Sequence, residues 1–297
     1  MSMLRTVVIA VLLALGSLGA VAQKDNFAQA YEKYEQGDLA QARSLIDRAI
    51  AEPGLISDPG VWLLRGFIYK DLFKGMQAGA VADSLRDEAL TSLIRCLAQD
   101  SAVAYTKDCT QAFDYLAKTY YNDAARALNE MDPDRATQLY AKHKEAVWRL
   151  DAEHDFRSRD IEFSNALGTV FTRRYNQDRE DTAWFEKAVR TYRQVLLIDP
   201  DNYGANYNLS TLFYNRGVYN IQKITPENDI PGIQDIQRVS RVFFNAALPY
   251  MLKAFDMNPA RKETLLGLEG VYYSLQDTEK SEHYRQLYEA LEPEDDN

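Results

Sequence analysis

The sequence predicts an all-α protein made of stacked helix hairpins. Three observations predict it. Small residues recur at fixed intervals along amphipathic stretches, aromatic residues and leucines recur at fixed offsets from them, and prolines punctuate the periodic segments. From Trp62 the chain reads Trp-Leu-Leu-Arg-Gly66-Phe-Ile-Tyr69, an aromatic, a glycine four on, and a tyrosine three beyond. Phe113, Ala117 and Tyr120 repeat that spacing, as do Ser164, Gly168 and Phe171, and more weakly Asn206, Ser210 and Phe213. These are the first helices of successive hairpins.

Second helices carry their own signature. Ala188, Tyr192, Val195 and Pro200 stand 4, 3 and 5 apart, and Ala247, Met251, Ala254 and Pro259 stand likewise. Ala42, Ile46 and Ala49 share the first two intervals, and so do Ala89, Leu93 and Cys96. In the third hairpin Ala136 and Tyr140 fit, but His143 occupies a place where a small residue is expected. Register between hairpins repeats too: Ala188 to Ser210 is 22 residues, Ala247 to Glu269 is 22, and Ala30 to Ala42 is 12. The last pair, around Leu265, Leu268, Tyr272, Tyr284 and Leu287, is degenerate and reads as a capping hairpin.

These intervals resemble the tetratricopeptide repeat, and the resemblance covers nearly all of residues 23–291. It implies a right-handed superhelical solenoid of about six hairpins with a concave inner face, stabilised by stacking because one hairpin cannot bury its apolar stripe alone. The chain departs from the family in the length of its hairpins. Gly66 to Ala89 is 23 residues, Ala117 to Ala136 is 19, Gly168 to Ala188 is 20 and Ser210 to Ala247 is 37, against a regular 12. The extra residues are expected as insertions in the turns, the longest near 218–242. Val239 to Phe255 is expected to form a kinked or two-part helix around Pro249.

The resemblance also implies where a partner would lie. Side chains spaced 4 and then 3 along each first helix reach the inner face, which selects Phe27, Tyr31 and Tyr34, then Phe67 and Lys70, then Asp114, Lys118 and Tyr121. Asn165, Thr169 and Thr172 follow, then Tyr207, Thr211 and Tyr214, and last Tyr273. Tyrosine suits such a surface because it offers a rigid apolar plane and a hydroxyl at low entropic cost. A protein or peptide of a bacterial cell envelope is the expected partner, and an envelope glycan is the alternative. The basic clamp with which some family members hold a terminal carboxylate is not evident.

The first residues speak to compartment. Arg5, an apolar run of about 13 residues and Ala20-Val21-Ala22 read as a secretory signal peptide over 1–22, cleaved after Ala22, the run being short of the roughly 20 residues that span a bilayer. A periplasmic or secreted protein is expected, without a membrane span after cleavage. The charge of −10 becomes −11 once Arg5 is lost, which disfavours nucleic acid. Cys96 and Cys109, exported to an oxidising space, can form a disulfide, with two separate buried thiols as the other reading. Residues 292–297 read as a disordered acidic tail.

No chemistry is legible. The three histidines, His143, His154 and His283, share no ligand spacing with one another or with the cysteines, so no metal is expected. The acidic cluster of Asp151, Glu153, His154, Asp155 and Asp160 reads as a solvated linker. No phosphate-binding loop, dinucleotide fingerprint or serine elbow occurs. A scaffold or adaptor without cofactor, rather than an enzyme, is the expectation, with a small-molecule binder or an enzyme that uses the inserted loops as a further alternative.

Overall fold

The computed structural model describes residues 25–291, and the expected leader over 1–22 and the expected acidic tail over 292–297 lie outside them. The described residues form twelve α-helices and no strand. Two compact units divide between Lys118 and Thr119.

The first unit holds α1 (Asn26–Glu35), α2 (Leu39–Ala49), α3 (Pro59–Lys74), α4 (Ala80–Gln99) and the start of α5 (Thr106–Asn129). The second holds the rest of α5, then α6 (Pro133–Leu150), α7 (Arg157–Gln177), α8 (Thr182–Ile198), α9 (Tyr203–Ile221), α10 (Ile230–Met257), α11 (Lys262–Ser274) and α12 (Thr278–Glu289). Helices pair as hairpins, α1 with α2, α3 with α4, α7 with α8, α9 with α10 and α11 with α12, and each hairpin packs on the next within its unit. This is the tetratricopeptide-like arrangement the spacing called for.

Helix starts follow from sequence. Asp25, Asp38, Asp58, Asp132, Asp181, Asn202, Asp229 and Asp277 each accept a backbone N–H of the first turn through the side chain. Each such cap satisfies a donor the helix cannot, worth about 1 kcal/mol. Pro59, Pro133 and Pro231 sit in first turns, where a missing N–H costs nothing. The α8 and α10 helices end at Ile198 and Met257, just ahead of Asp199-Pro200 and Asn258-Pro259.

Close helix pairing rests on the small residues. A Cβ added to Gly66 would lie 2.7 Å from Leu93, and one added to Gly168 would lie 2.6 Å from the Tyr192 ring. At the matching place in the fifth hairpin Ser210 Oγ donates to the Ala247 carbonyl at 2.8 Å. The last hairpin keeps the same contact, Ser281 Oγ to the Glu269 carbonyl at 3.1 Å. It is regular where its sequence looked degenerate. Around these contacts Ala30, Ala42, Ile46, Ala49, Val61 and Ile68 form the core of the first unit, and Tyr175, Tyr192, Val195, Leu209 and Leu212 that of the second.

The extra length is not loop. It lengthens the helices, to 20 residues in α4, 24 in α5, 21 in α7 and 28 in α10. Only residues 222–229 of the 218–242 segment are non-helical, which corrects the expected long insertion. The turn residues Thr225 to Asp229 do make the turn, but Pro231-Gly232 opens a helix rather than extending a loop. Val239 to Phe255 belongs to one continuous α10 that runs through Pro249, not to two pieces. Added turns of α9 and α10 are held together where a Cβ on Gly217 would run into the Phe244 ring.

Cys96 at the end of α4 and Cys109 at the start of α5 are joined as a disulfide, their Cα atoms 6.8 Å apart and both side chains buried. The loop between them turns on Asp100, whose carboxylate accepts from Ala104 N, Tyr105 N and Thr106 Oγ1 at 2.8–2.9 Å. His143 is buried among Tyr121, Tyr140 and Phe156, a ring filling space where the repeat usually takes a small residue.

Candidate partner-binding faces

The residues that sequence spacing selects divide between the two units. In the first, Phe27, Tyr31 and Tyr34 of α1 lie half-buried against the core. The Tyr34 hydroxyl donates to Asp71 Oδ2 of α3 at 2.7 Å, so it serves the packing of α1 on α3. Phe67 carries the Lys70 ammonium 4.0 Å over its ring, and burial lowers the pKa of Lys70. Asp114 and Lys118 are exposed. Aromatic and charged groups therefore mix on this face.

The second unit differs. Tyr121 lies under the Arg159 guanidinium at 4.6 Å and packs on Tyr140 and His143, leaving it half-buried in an aromatic cluster. The acidic residues nearby are occupied locally: Asp160 accepts from Tyr140 and Lys144, Asp151 lies 3.3 Å from His154, and Asp155 caps Arg157 N. No group of three or more metal-ligating side chains is assembled among the described residues.

Along α7, α9 and α11 one register repeats. Asn165, Thr169 and Thr172 stand on α7, and Tyr207, Thr211 and Tyr214 on α9. Leu266, Gly270 and Tyr273 stand on α11. Neighbouring helices place these positions side by side. Asn165 Nδ2 donates to Asn202 Oδ1 at the start of α9 (3.2 Å), and the Tyr214 hydroxyl would touch a Cβ on Gly270 at 2.9 Å. Between α7 and α9 the Tyr192 hydroxyl rises among Thr169, Thr172 and Asn208, and burial raises its pKa against those bonds. Thr169, Thr172 and Thr211 each donate to the carbonyl four residues back, which leaves their oxygens as acceptors. Asn165 Oδ1 is buried and accepts no hydrogen bond from a described residue.

None of the nine positions is charged in a chain that is 26% charged. These nine positions are neutral, and Arg261 flanks them, its guanidinium 4.9 Å over the Tyr203 ring. The strip offers amide and hydroxyl groups on α7, stacked tyrosines Tyr203 and Tyr207 on α9, and exposed apolar side chains on α11, where Leu266 is 46% and Tyr273 76% exposed. Leu266, Gly270 and Asn208 were not selected from sequence. Leu266 and Gly270 follow from the same 4, 3 spacing carried back from Tyr273, but an isolated leucine in a helix reads as core.

No family model matches the chain, and no curated protein matches it. Solved structures offer a distant likeness only. A monomeric IFIT1 mutant with Gppp-AAAA matches at 13% identity and a TM-score of 0.34, over 98% of this chain and 65% of that one. A human IFIT1 dimer with PPP-AAAA matches at 14% identity and 0.31, over 90% of this chain and 60% of that one. The chain thus spans less than two thirds of the IFIT1 chain. At these values the likeness assigns neither a family nor a ligand.

Proposed function

We propose that this protein is a non-catalytic adaptor whose second unit holds an extended, uncharged segment of a partner protein on the neutral strip of α7, α9 and α11. The observation that carries the reading is the strip itself. Thr169, Thr172 and Thr211 can accept from a peptide backbone, while Tyr207, Leu266 and Tyr273 offer apolar planes for its side chains. A rigid stack of helices keeps these groups in fixed register, which limits the entropic cost of binding. Export through the 1–22 leader is part of the proposal and makes an envelope protein the expected partner. Among the described residues no helix is long and apolar enough to cross a membrane.

A second reading has a specific observation in its favour. Hydroxyl groups beside the half-buried Tyr207 ring and the exposed Tyr273 ring also suit a neutral glycan. One experiment separates the two. Tyr273→Ala with Leu266→Ser changes exposed side chains, so Tm should hold while a photo-crosslinked partner protein is lost. Because the strip is neutral, capture should change little with ionic strength. Retardation in a polysaccharide gel without any crosslinked protein would favour the glycan. Turnover of a small substrate would overturn both.

A further inference from the structure

The added turns of α9 build a second, charged feature away from the strip. Tyr219, in the last turn of α9, faces the turn at 178–181 that joins α7 to α8. Three cations surround its ring: the Lys223 ammonium at 4.7 Å, the Arg179 guanidinium at 5.5 Å and the Arg216 guanidinium at 5.6 Å. Arg216 is fixed from behind, its Nη1 donating to the Tyr175 hydroxyl at 3.0 Å and to the Arg179 carbonyl at 2.8 Å. No carboxylate of a described residue lies within 4.0 Å of either guanidinium, although Arg216 acts on Glu180 from further off.

Three carboxylates lie in the same turn, and they are not equivalent. Asp178 accepts the backbone N–H groups of Glu180 and Asp181, and Asp181 accepts that of Ala183, so both are spent on turn and cap. Glu180 is different. One of its oxygens, Oε1, accepts from the Tyr219 hydroxyl at 2.6 Å and from Lys223 at 2.8 Å, on an exposed side chain. Lys223 first and Tyr219 second hold its carboxyl below the usual range.

We propose that this corner receives an aspartate or glutamate side chain of a partner protein, with Glu180 as the chain's own placeholder that the incoming carboxylate displaces. Glu180 is the template for the ligand: the corner already binds a glutamate carboxylate, through two donors to one oxygen. Two guanidinium groups beside it can take a carboxylate in the bidentate manner that favours arginine. An exposed ion pair is worth little, so exchange is cheap. The corner does not depend on the neutral strip, and either can fail alone.

The test uses the mature protein and an acetylated decaglutamate peptide, with binding read by anisotropy at about 20 mM and about 300 mM sodium chloride. Wild type should bind at low salt and lose the peptide at high salt, although the protein as a whole repels it. Arg179→Gln should weaken binding about tenfold at unchanged Tm, and Lys223→Gln gives the same expectation should the first variant fold poorly. Glu180→Gln should tighten binding about threefold. Glu153→Gln, an equal change of charge at an exposed residue elsewhere in the unit, should not. Failure of decaglutamate to bind, equal effects of Glu180→Gln and Glu153→Gln, or binding of an oligouronate but not of decaglutamate would each overturn the proposal.

Discussion

At the scale of single residues, the hairpins are governed by what has no side chain. Gly168 lets the Tyr192 ring lie where a methyl group would stand, and its Cβ would be 2.6 Å from ring carbon. Gly168→Ala should therefore cost about 1–3 kcal/mol by overpacking, despite the better helix propensity of alanine. A urea titration would measure it, and an unchanged midpoint would mean that α7 and α8 separate without penalty. Asp100 makes a prediction about pH. Burial pushes its pKa up, but hydrogen bonds from Thr106, Tyr105 and Ala104 outweigh burial and leave it lowered. A carboxyl lowered on folding contributes stability that is complete above its unfolded value and fades as pH falls through the folded one. Asp100→Asn should flatten the loss of Tm below about pH 4 relative to wild type.

Elements carry the next level of stability. The disulfide from Cys96 to Cys109 fastens α4 to α5 around a 13-residue separation, for which chain entropy alone gives about 3 kcal/mol. Replacing both cysteines by alanine should lower Tm by several degrees, and dithiothreitol should lower wild type by a similar amount but leave the variant unmoved. Elements were also what the sequence made most legible. Gly66, Ala117, Gly168, Ala188 and Ala247 marked the helix contacts because a close crossing admits few residue types. The length of α10 was misread for the opposite reason. Thr225-Pro226 and Pro231-Gly232 are both turn signals, yet proline in a first helical turn is as favourable as in a loop, so only packing of Gly217 on Phe244 decides between them. The neutral strip was half legible. Its α7 and α9 residues followed from spacing, whereas Leu266 could be told from core only by seeing that no helix covers it.

Whole-molecule behaviour should follow from hairpins that touch only their neighbours. Within the second unit, α11 and α12 pack on the α9–α10 hairpin through Leu268, Tyr272 and Met251. Ending the chain at Pro259 should expose that surface and lower Tm, while α7 to α10 keep their helical circular dichroism. Complete loss of helicity would show that the last hairpin nucleates the unit rather than caps it. The truncated form should also lose the partner crosslink, since Leu266 and Tyr273 leave with it.

The staple between Cys96 and Cys109 has one consequence for handling the protein. Residues 101–104 between them are exposed, and Val103 holds a left-handed backbone at φ 56° that a β-branched side chain resists. A protease cutting there would leave two fragments still covalently joined. On a gel without reductant the nicked chain would run as though whole, and it would come apart only when thiol is added.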